Sequence, residues 1–326
     1  MKHSIFFLLF VVATLCASAQ NTLMATLDHQ GQKSVFFGTN AINQANAAAC
    51  DSDIITLSGG IFTSATLTKA VTLRGTGVYA NDDAQLYPTV INGSINLNIA
   101  DKAHKLIIEG IKITDGIYSS TTTNDPLFKR CIIRCFGAHI TNAIFENCYI
   151  YDYMYYGSNC SATFLNCYVQ TPNYYNYSGN RYDFLNCVIK SMSTSTQYSH
   201  FRDCIFLNTG ALNSTNVAFN CLATGTGASN VFNNLNNGNQ NYYVEDITTI
   251  FKEYNGSNYS DNITFELTDE AARTYLCADG TQIGMYGGSC PFDFSIAALK
   301  LTKCVVSNRA TADGKINVDI EVEGIK

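Results

Sequence analysis

The sequence has few charged residues and no tryptophan. Asp, Glu, Lys and Arg together make up 14% of its 326 residues, against roughly 25% in average soluble domains. The formal net charge is −6, so the chain lacks the basic footprint of a nucleic-acid-binding protein. It also lacks a basic amphipathic helix, which excludes that form of membrane-surface binding. The surface must therefore be built largely from Asn, Ser, Thr, Gly and Tyr.

The first residues predict a secretory signal peptide, residues 1–19. Lys2 gives a basic start, an apolar run extends from Ile5 to Leu15, and Ala17 and Ala19 provide a small-residue cleavage site. Cys16 follows a leucine, which disfavours lipid attachment. No later stretch is long and apolar enough to span a membrane. We therefore expect a secreted, monomeric protein, periplasmic, on the cell surface or extracellular, with no membrane insertion.

The middle of the chain repeats one short motif six times, a phenylalanine followed closely by a cysteine and an aliphatic residue. The steps between these cysteines are 17, 19, 20, 17 and 17 residues, which predicts a stacked repeat rather than a closed globule. Short β-branched runs bounded by Gly, Asn or Asp precede the repeat and read as earlier turns. The repeat cysteines are Cys131, Cys148, Cys167, Cys187, Cys204 and Cys221.

The direction of the side chains explains the motif. Phe145 and Cys148 are three residues apart, so a continuous strand would send them to opposite faces. A tight corner at Asn147, a residue type that tolerates left-handed backbone angles, lets both point inward. The same corner is predicted in the other repeats, with Arg130 as the exception in residue type. The corner positions are Asn147, Asn166, Asn186, Asp203 and Asn220.

With its corner asparagines and its inward Phe, Cys and Ile stacks, the chain resembles right-handed parallel β-helices of the pectate-lyase-like superfamily. The segments DIITLSGGIF and DGTQIGMYGG resemble those of an uncharacterised branch of secreted β-helix proteins from Gram-negative bacteria. The resemblance covers roughly Ala41 to Phe292 and implies an all-β solenoid with three short strands per turn.

We divide the chain accordingly. Residues 20–49 are a lead-in and cap helix, with Thr39 or Asn40 as its N-cap. Residues 50–255 form the parallel β-helix. Residues 256–326 form a C-terminal region, with a helix capped by Thr268, which we expect to cover the last turn.

The cysteines allow two interpretations. Adjacent turns lie about 4.8 Å apart, which disulfides permit. However, stacked side chains point in parallel, and the ladder has no CxxC or histidine partner of zinc-site type. We expect free, buried thiols that fill the interior. A disulfide among Cys277, Cys290 and Cys304 stays open.

The tyrosines suggest a binding surface. In register, Tyr149 lies beside Tyr168 on an outward column, and the loops that follow add further rings. Exposed rings with amide and cationic neighbours suit a polysaccharide or cell-surface glycan; the alternative is that the tyrosines only stack on one another to stabilise the loops. The predicted ligand-binding residues are Tyr149, Tyr151, Tyr168, Gln170, Lys190, Arg134, Tyr155, Tyr156, Tyr174, Tyr175 and Arg181.

Catalysis is less well supported. The resemblance implies an Arg or Lys base with acidic Ca²⁺ ligands in lyases, or clustered aspartates in hydrolases. Arg134 and Arg181 are the candidate bases, but Asp152 and Asp183 stand singly, and His200 has no acidic neighbour in the predicted register. We predict a non-catalytic carbohydrate-binding protein without cofactor or metal. A polysaccharide lyase or glycoside hydrolase, and a structural surface spacer, are the alternatives.

Overall fold

The chain folds into a parallel β-solenoid of about eight turns, as seen in a computed structural model. This confirms the predicted all-β parallel β-helix, whose right-handedness stays a prediction. The structure describes residues 23–80, 87–137, 139–153, 160–171, 181–192, 196–207, 209–235, 240–256, 264–295, 298–306 and 318–325.

One long sheet, called sheet A, contains eleven strands. Its first two strands form an antiparallel hairpin, and β1 also pairs antiparallel with β3. All later neighbours are parallel. The strands, in spatial order, are β2 (Gln32–Phe37), β1 (Met24–His29), β3 (Ile54–Leu57), β5 (Thr72–Arg74), β7 (Ile107–Glu109), β10 (Leu127–Lys129), β13 (Ala143–Glu146), β15 (Ser161–Leu165), β17 (Arg181–Leu185), β19 (Ser199–Arg202) and β21 (Val217–Phe219).

The second long sheet, sheet B, contains ten parallel strands. In spatial order they are β4 (Gly60–Leu67), β6 (Thr89–Leu97), β8 (Lys112–Ser119), β11 (Ile132–Phe136), β14 (Tyr149–Tyr153), β16 (Tyr168–Thr171), β18 (Val188–Ile189), β20 (Ile205–Leu207), β22 (Leu222–Thr224) and β23 (Tyr242–Val244).

The remaining elements are short or lie near the ends of the chain. Within the described ranges, a third strand occurs in only two turns, so the expected three strands per turn holds there alone. The elements are β9 (Thr123–Asn124), β12 (Ile140–Thr141), the antiparallel pair β24 (Ala298–Val306) and β25 (Val318–Ile325), the α-helices α1 (Ala41–Ala48) and α2 (Asp269–Thr274), and the 3₁₀-helices Ala228–Asn230 and Ile247–Thr249.

The interior is built from stacked columns of identical or similar side chains. The phenylalanine rings of successive turns stack nearly parallel, with centroids 4.7–4.9 Å apart. This spacing matches the distance between neighbouring strands, about 4.8 Å, so each ring packs directly on the next. The column contains Phe128, Phe145, Phe164, Phe184 and Phe201, all at most 2% exposed.

The corner between the sheets lies where the sequence predicts it. Asn147 has φ 54°, and the other four predicted corner residues have φ between 51° and 55°. Arg130, the exception in residue type, adopts the same backbone with φ 50°. The corner is thus a left-handed residue in every repeat, and asparagine is favoured because it takes that conformation at low cost.

The six repeat cysteines are free thiols with no exposed surface, as predicted. Each thiol donates a weak hydrogen bond to the carbonyl two residues before it; the distance is 3.2 Å from Cys167 Sγ to Leu165 O. The ladder is therefore small apolar filling rather than a reactive series.

The N-terminal end confirms the predicted helix and adds an element that the sequence did not reveal. Helix α1 begins after Asn40 and buries Ala41, Ile42 and Ala45 against the solenoid interior. The hairpin β1–β2 precedes it and pairs with β3, Leu27 lying opposite Ile55. The helix covers the open core while the hairpin ends sheet A with antiparallel strands.

Candidate functional site

Tyr149 and Tyr168 are neighbours in sheet B, as the register predicts. Their expected exposure is wrong, because Tyr149 is 2% and Tyr168 0% exposed. They belong to a column of outward-facing residues on sheet B that is buried in six consecutive turns. We call this the sheet B outer column: Ile132, Tyr149, Tyr168, Val188, Ile205 and Leu222.

The cover over this column is the C-terminal strap, defined as residues 245–256 and 264–294. The Phe265 ring stacks on Tyr168, with centroids 4.8 Å apart and planes 13° from parallel. Phe292 stacks on Tyr149 at 5.1 Å, and Phe294 contacts the same ring edge-on at 4.9 Å. The two tyrosines are thus part of a second hydrophobic core outside the solenoid.

The strap is also hydrogen-bonded to the corner residues. Following the strap from residue 276 to residue 293, its contacts step backward through the solenoid turns. The bonds run from Asn220 Nδ2 to Leu276 O (2.9 Å), Asn186 Nδ2 to Cys277 Sγ (3.2 Å), Asn166 Nδ2 to Met285 O (2.9 Å) and Gly287 O (2.7 Å), and Arg130 Nε to Asp293 O (3.2 Å). The region was expected to cover the last turn; residues 276–293 instead lie along the side of the solenoid, from the turn of Asn220 back to that of Arg130.

The cysteines of the strap do not form the disulfide that the sequence left open between them. Cys277 and Cys290 are free thiols. Cys277 Sγ lies 3.1 Å from Gln282 O, and Cys290 Sγ lies 3.5 Å from Glu146 Oε1. The side chain of Cys304 lies outside the described residues.

The rest of the predicted tyrosine flank divides into two groups. Tyr155, Tyr156, Tyr174 and Tyr175 lie outside the described residues. Tyr151 and Gln170 are half-buried on the neighbouring strands β14 and β16 of sheet B, and Lys190 is half-buried directly after β18. Burial lowers the pKa of the Lys190 ammonium group, and the Tyr151 hydroxyl donates to Thr114 O at 3.3 Å.

Arg134 lies between two carboxylates. Its Nε is 2.9 Å from Asp152 Oδ2, and its Nη1 is 3.7 Å from Asp115 Oδ1. Asp115 also accepts from the Tyr118 hydroxyl at 3.2 Å. The Arg134 guanidinium is therefore held by two aspartates on the sheet B side. This cluster resembles a structural ion pair more closely than a lyase base.

The outer face of sheet A is open and carries polar as well as apolar side chains, in contrast to the covered column on sheet B. A groove of about 580 Å³ runs over it, and a second hollow of about 330 Å³ adjoins it. One residue from each of five consecutive turns forms the first row, and Ile144, Thr163 and Asp183 form the second. We call this the sheet A groove; its first row is Lys105, Asp125, Asn142, Ser161 and Arg181.

Arg181, Asp183 and His200 meet where this groove adjoins the second hollow. Arg181 Nε lies 3.3 Å and His200 Nδ1 lies 3.2 Å from Asp183 Oδ1. Arg181 Nη2 lies 3.0 Å from His200 Nδ1. The expectation that His200 has no acidic neighbour is wrong, because β17 and β19 pair Asp183 directly with His200. The 17-residue step between Asp183 and His200 was the signal that could have revealed it.

Two groups of possible metal ligands lie at the other end of the solenoid. They are His29, Cys50 and Asp53, and Asp51, Asp101 and His104; in each group the donor atoms lie within 4.8 Å of one another. The repeat cysteines, in contrast, face the interior. Any metal chemistry would thus be separate from the cysteine ladder.

Comparisons with protein-family models, curated proteins and solved structures found no match. Among the described residues, no helix is long and apolar enough to cross a membrane.

Proposed function

We propose that this chain is a secreted, monomeric, non-catalytic β-helix protein of the pectate-lyase-like type that binds an extended polysaccharide along the sheet A groove. The observation that carries the proposal is the contrast between the two outer faces. The C-terminal strap covers the sheet B outer column in six consecutive turns, whereas sheet A presents a row of polar side chains from five consecutive turns to solvent.

The dimensions of the groove support a linear ligand. Neighbouring turns are about 4.8 Å apart, so five turns extend over roughly 20 Å. This repeat is comparable with the advance of one sugar residue along an extended glycan. Each turn can therefore offer one polar contact to each successive sugar.

The chemistry of the groove also suits carbohydrate. Asn142 and Ser161 offer amide and hydroxyl groups to sugar hydroxyls, and they already bond to each other, with Ser161 Oγ 3.0 Å from Asn142 Oδ1. Tyr198 is 50% and Phe219 41% exposed, and an exposed ring can stack on the apolar face of a sugar. Arg181 and Lys105 supply cations for an acidic sugar.

This proposal moves the binding surface away from Tyr149 and Tyr168. Both rings already contact aromatic residues of the strap, so neither is free to stack on a sugar. The half-buried Tyr151, Gln170 and Lys190 stay available as a second surface on the sheet B side, which the experiment below distinguishes from the groove.

A polysaccharide lyase is the second candidate, and the cluster of Arg181, Asp183 and His200 is the observation in its favour. Arg181 already forms an ion pair with Asp183, with 3.3 Å from Nε to Oδ1. His200 lies beside this ion pair and contributes the imidazole of the cluster. However, the His200 ring nitrogen already faces both Arg181 and Asp183, so it has a structural role without substrate.

The test uses two arginines on opposite sides of the solenoid, each of which forms an ion pair with an aspartate. Binding to a panel of neutral and acidic polysaccharides is measured by calorimetry for the unchanged protein, Arg181→Gln and Arg134→Gln. We expect Arg181→Gln to weaken binding at least about tenfold, the loss typical of one charged contact, and Arg134→Gln to have little effect.

The opposite pattern would place the ligand on the sheet B flank and contradict the groove. Absence of binding across the panel would favour a structural spacer. Release of unsaturated product, followed by ultraviolet absorbance and abolished in His200→Gln or Arg181→Gln, would favour the lyase.

A further inference from the structure

Two tight turns face each other where sheet A changes from antiparallel to parallel strands. The first, at Gln30 and Gly31, joins β1 to β2, and both residues have positive φ. The second spans residues 50–53, with φ 73° at Ser52. A cleft of about 370 Å³ lies between them and is lined mainly by these two turns. It has no part in the proposed polysaccharide groove.

Three donor atoms of different chemistry meet in this cleft. They are a ring nitrogen of His29, the thiol of Cys50 and a carboxylate oxygen of Asp53, all within 4.8 Å of one another. His29 Nδ1 lies 2.9 Å from Asp53 Oδ1 and 3.0 Å from Asp53 Oδ2. The Asp53 side chain is 7% exposed and the His29 side chain 43% exposed, while Cys50 is an exposed free thiol. The buried carboxylate thus forms the floor, and the other two donors face solvent.

The backbone holds the second turn in place. Asp53 N donates to Cys50 O at 3.3 Å, and Cys50 N donates to Asp53 Oδ2 at 2.8 Å. The next solenoid turn fixes the same segment, since Ser52 N donates to Ala70 O at 2.8 Å and Thr72 N to Asp53 O at 2.9 Å. The thiol and the carboxylate are therefore held by the solenoid rather than by a free loop, which lowers the cost of bringing ligands together.

We propose that His29, Cys50 and Asp53 bind one divalent transition-metal ion of the Zn²⁺ class. Imidazole, thiolate and carboxylate are the three protein ligands that Zn²⁺ accepts in tetrahedral sites. A thiolate among the ligands selects against Mg²⁺ and Ca²⁺, which require oxygen. Binding releases the thiol proton of Cys50 to solvent. Because His29 and Cys50 both face solvent, the fourth coordination position is open to water or a small ligand.

The competing explanation is that Asp53 only orients His29 by a hydrogen bond, with Cys50 as a bystander. The two accounts differ in what happens to the thiol. A bound metal deprotonates Cys50 and shields it from alkylation, whereas a hydrogen bond between His29 and Asp53 leaves its reactivity independent of added metal.

The first measurement uses Co²⁺ as a spectroscopic substitute for Zn²⁺ in the intact protein. We expect a thiolate-to-Co²⁺ charge-transfer band that saturates at one equivalent and disappears on addition of Zn²⁺. Cys50→Ser is expected to abolish the band. His29→Gln and Asp53→Asn are expected to weaken binding at least about tenfold. Excess Ca²⁺ is expected to leave the band unchanged.

Cys290→Ser is the matched control. Cys290 Sγ also lies next to a carboxylate, 3.5 Å from Glu146 Oε1, but that pair lies outside both possible metal-ligand groups. We expect this variant to retain the full band. A band that is absent from the unchanged protein, or that persists in Cys50→Ser, would overturn the proposal.

The second measurement guards against variants that fail to fold. In the unchanged protein, alkylation of Cys50 is followed by peptide mass spectrometry with and without Zn²⁺. We expect Zn²⁺ to slow the reaction at Cys50 at least about tenfold and to leave the rate at Cys290 unchanged. Equal rates at Cys50 with and without Zn²⁺ would contradict the proposal independently of any substitution.

Discussion

The two outer faces of the solenoid share one backbone but differ in the residues that they present. On sheet B, the outward position after each repeat cysteine is apolar in six consecutive turns and at most 2% exposed. On sheet A, the outward rows include Asp183 and His200, together with charged residues such as Lys129, whose ammonium lies 3.1 Å from Glu146. The covered column on sheet B is an internal interface of the chain, whereas the described residues on the outer face of sheet A include exposed charged side chains such as Arg181 and His200.

The difference teaches where to look for function in a solenoid. A stacked repeat gives every face the same spacing, so spacing alone identifies no site. The aromatic rings that most resemble a glycan platform, Tyr149 and Tyr168, are occupied by Phe292 and Phe265 of the strap. A ring is available to a ligand only where the chain has not covered it.

The largest expected effect comes from breaking the aromatic contact of the strap. Phe265→Ala removes a ring that is 2% exposed and stacks on Tyr168. We expect it to lower the free energy of unfolding by about 3–5 kcal/mol, typical of a buried phenylalanine, measured by denaturant titration. Phe219→Ala on sheet A removes a ring that is 41% exposed and is expected to cost less than about 1 kcal/mol. Equal losses would mean that the two faces are not different in packing.

A smaller loss is expected where a corner residue holds the strap. Asn166→Ala removes two hydrogen bonds to Met285 O and Gly287 O and places alanine at φ 52°. We expect Asn166→Ala to lower the free energy of unfolding by about 2–4 kcal/mol, measured by denaturant titration. Asn166→Gly accepts the same backbone angle, so it separates the hydrogen bonds from the strain. If Asn166→Gly were as stable as the unchanged protein, the strap contacts at this corner would contribute nothing.

Close packing of the strap backbone predicts an effect at one of its glycines. A Cβ on Gly284 would lie 2.6 Å from Ile205 Cδ1, and its φ is 80°. Since Ile205 is fully buried, we expect Gly284→Ala to cost about 2–3 kcal/mol. Gly280 has nearly the same φ, 82°, but a Cβ there meets nothing within 4 Å. Gly280→Ala is therefore expected to cost only the backbone strain, about 1 kcal/mol of unfolding free energy. Equal midpoints of denaturant unfolding for the two variants would argue against close packing at Gly284.

The smallest expected effect depends on pH. Burial raises the pKa of the Asp203 carboxyl at its corner under the strap. The folded state therefore binds this proton more tightly than the unfolded state, and stability falls as pH rises from the ordinary carboxyl pKa through the raised value. Asp203→Asn removes this loss of stability. We therefore expect the free energy of unfolding to rise by less than about 1 kcal/mol at pH 7, and we expect this gain to disappear toward pH 4.

The control for this effect has the opposite sign. Hydrogen bonds from the Thr248 side chain and backbone hold the pKa of Asp246 below its usual range. Asp246→Asn should therefore reduce stability at pH 7 and not at low pH, as thermal unfolding across the pH range would measure. If Asp203→Asn and the unchanged protein had the same stability at every pH, the Asp203 carboxyl would have the same pKa in the folded and unfolded states, which would contradict this prediction.

The repeat was the most predictable part of the fold. Direction and spacing alone locate the left-handed corner at Asn147 and the inward Phe145 and Cys148, because these depend on neighbouring residues. The same reasoning pairs Tyr149 with Tyr168, which the register confirms. Local geometry within a strand is therefore readable from a single sequence.

The strap was not predictable in the same way, because its contacts join residues far apart in sequence, such as Asn166 and Met285. One signal was present in the repeat. The residues after the cysteines are apolar on both faces of the strand, as in CYI and CVI, and such runs are typical of sheets covered on both sides. That pattern indicates a cover without saying which segment provides it.

The candidate sites also contain one part that could be predicted from the sequence and one part that could not. Arg181 was predicted as a binding residue, and its position in the groove depends on the local register. Its contact with His200 follows the 17-residue step from Asp183 to His200, which equals the step from Cys187 to Cys204, and the sequence analysis overlooked this signal. The cleft at His29 arises from the hairpin β1–β2, an element that the sequence analysis did not predict.

Hydroxyl-radical footprinting with mass spectrometry tests the difference between the two faces most directly. It measures the oxidation rate of individual aromatic side chains in the unchanged, folded protein. We predict that Tyr149, Tyr168 and Phe265 are protected, while Tyr198 and Phe219 on the sheet A side are oxidised rapidly. Oxidation of Tyr149 and Tyr168 at the rate of Tyr198 would contradict the account, because it would mean that the strap does not cover sheet B.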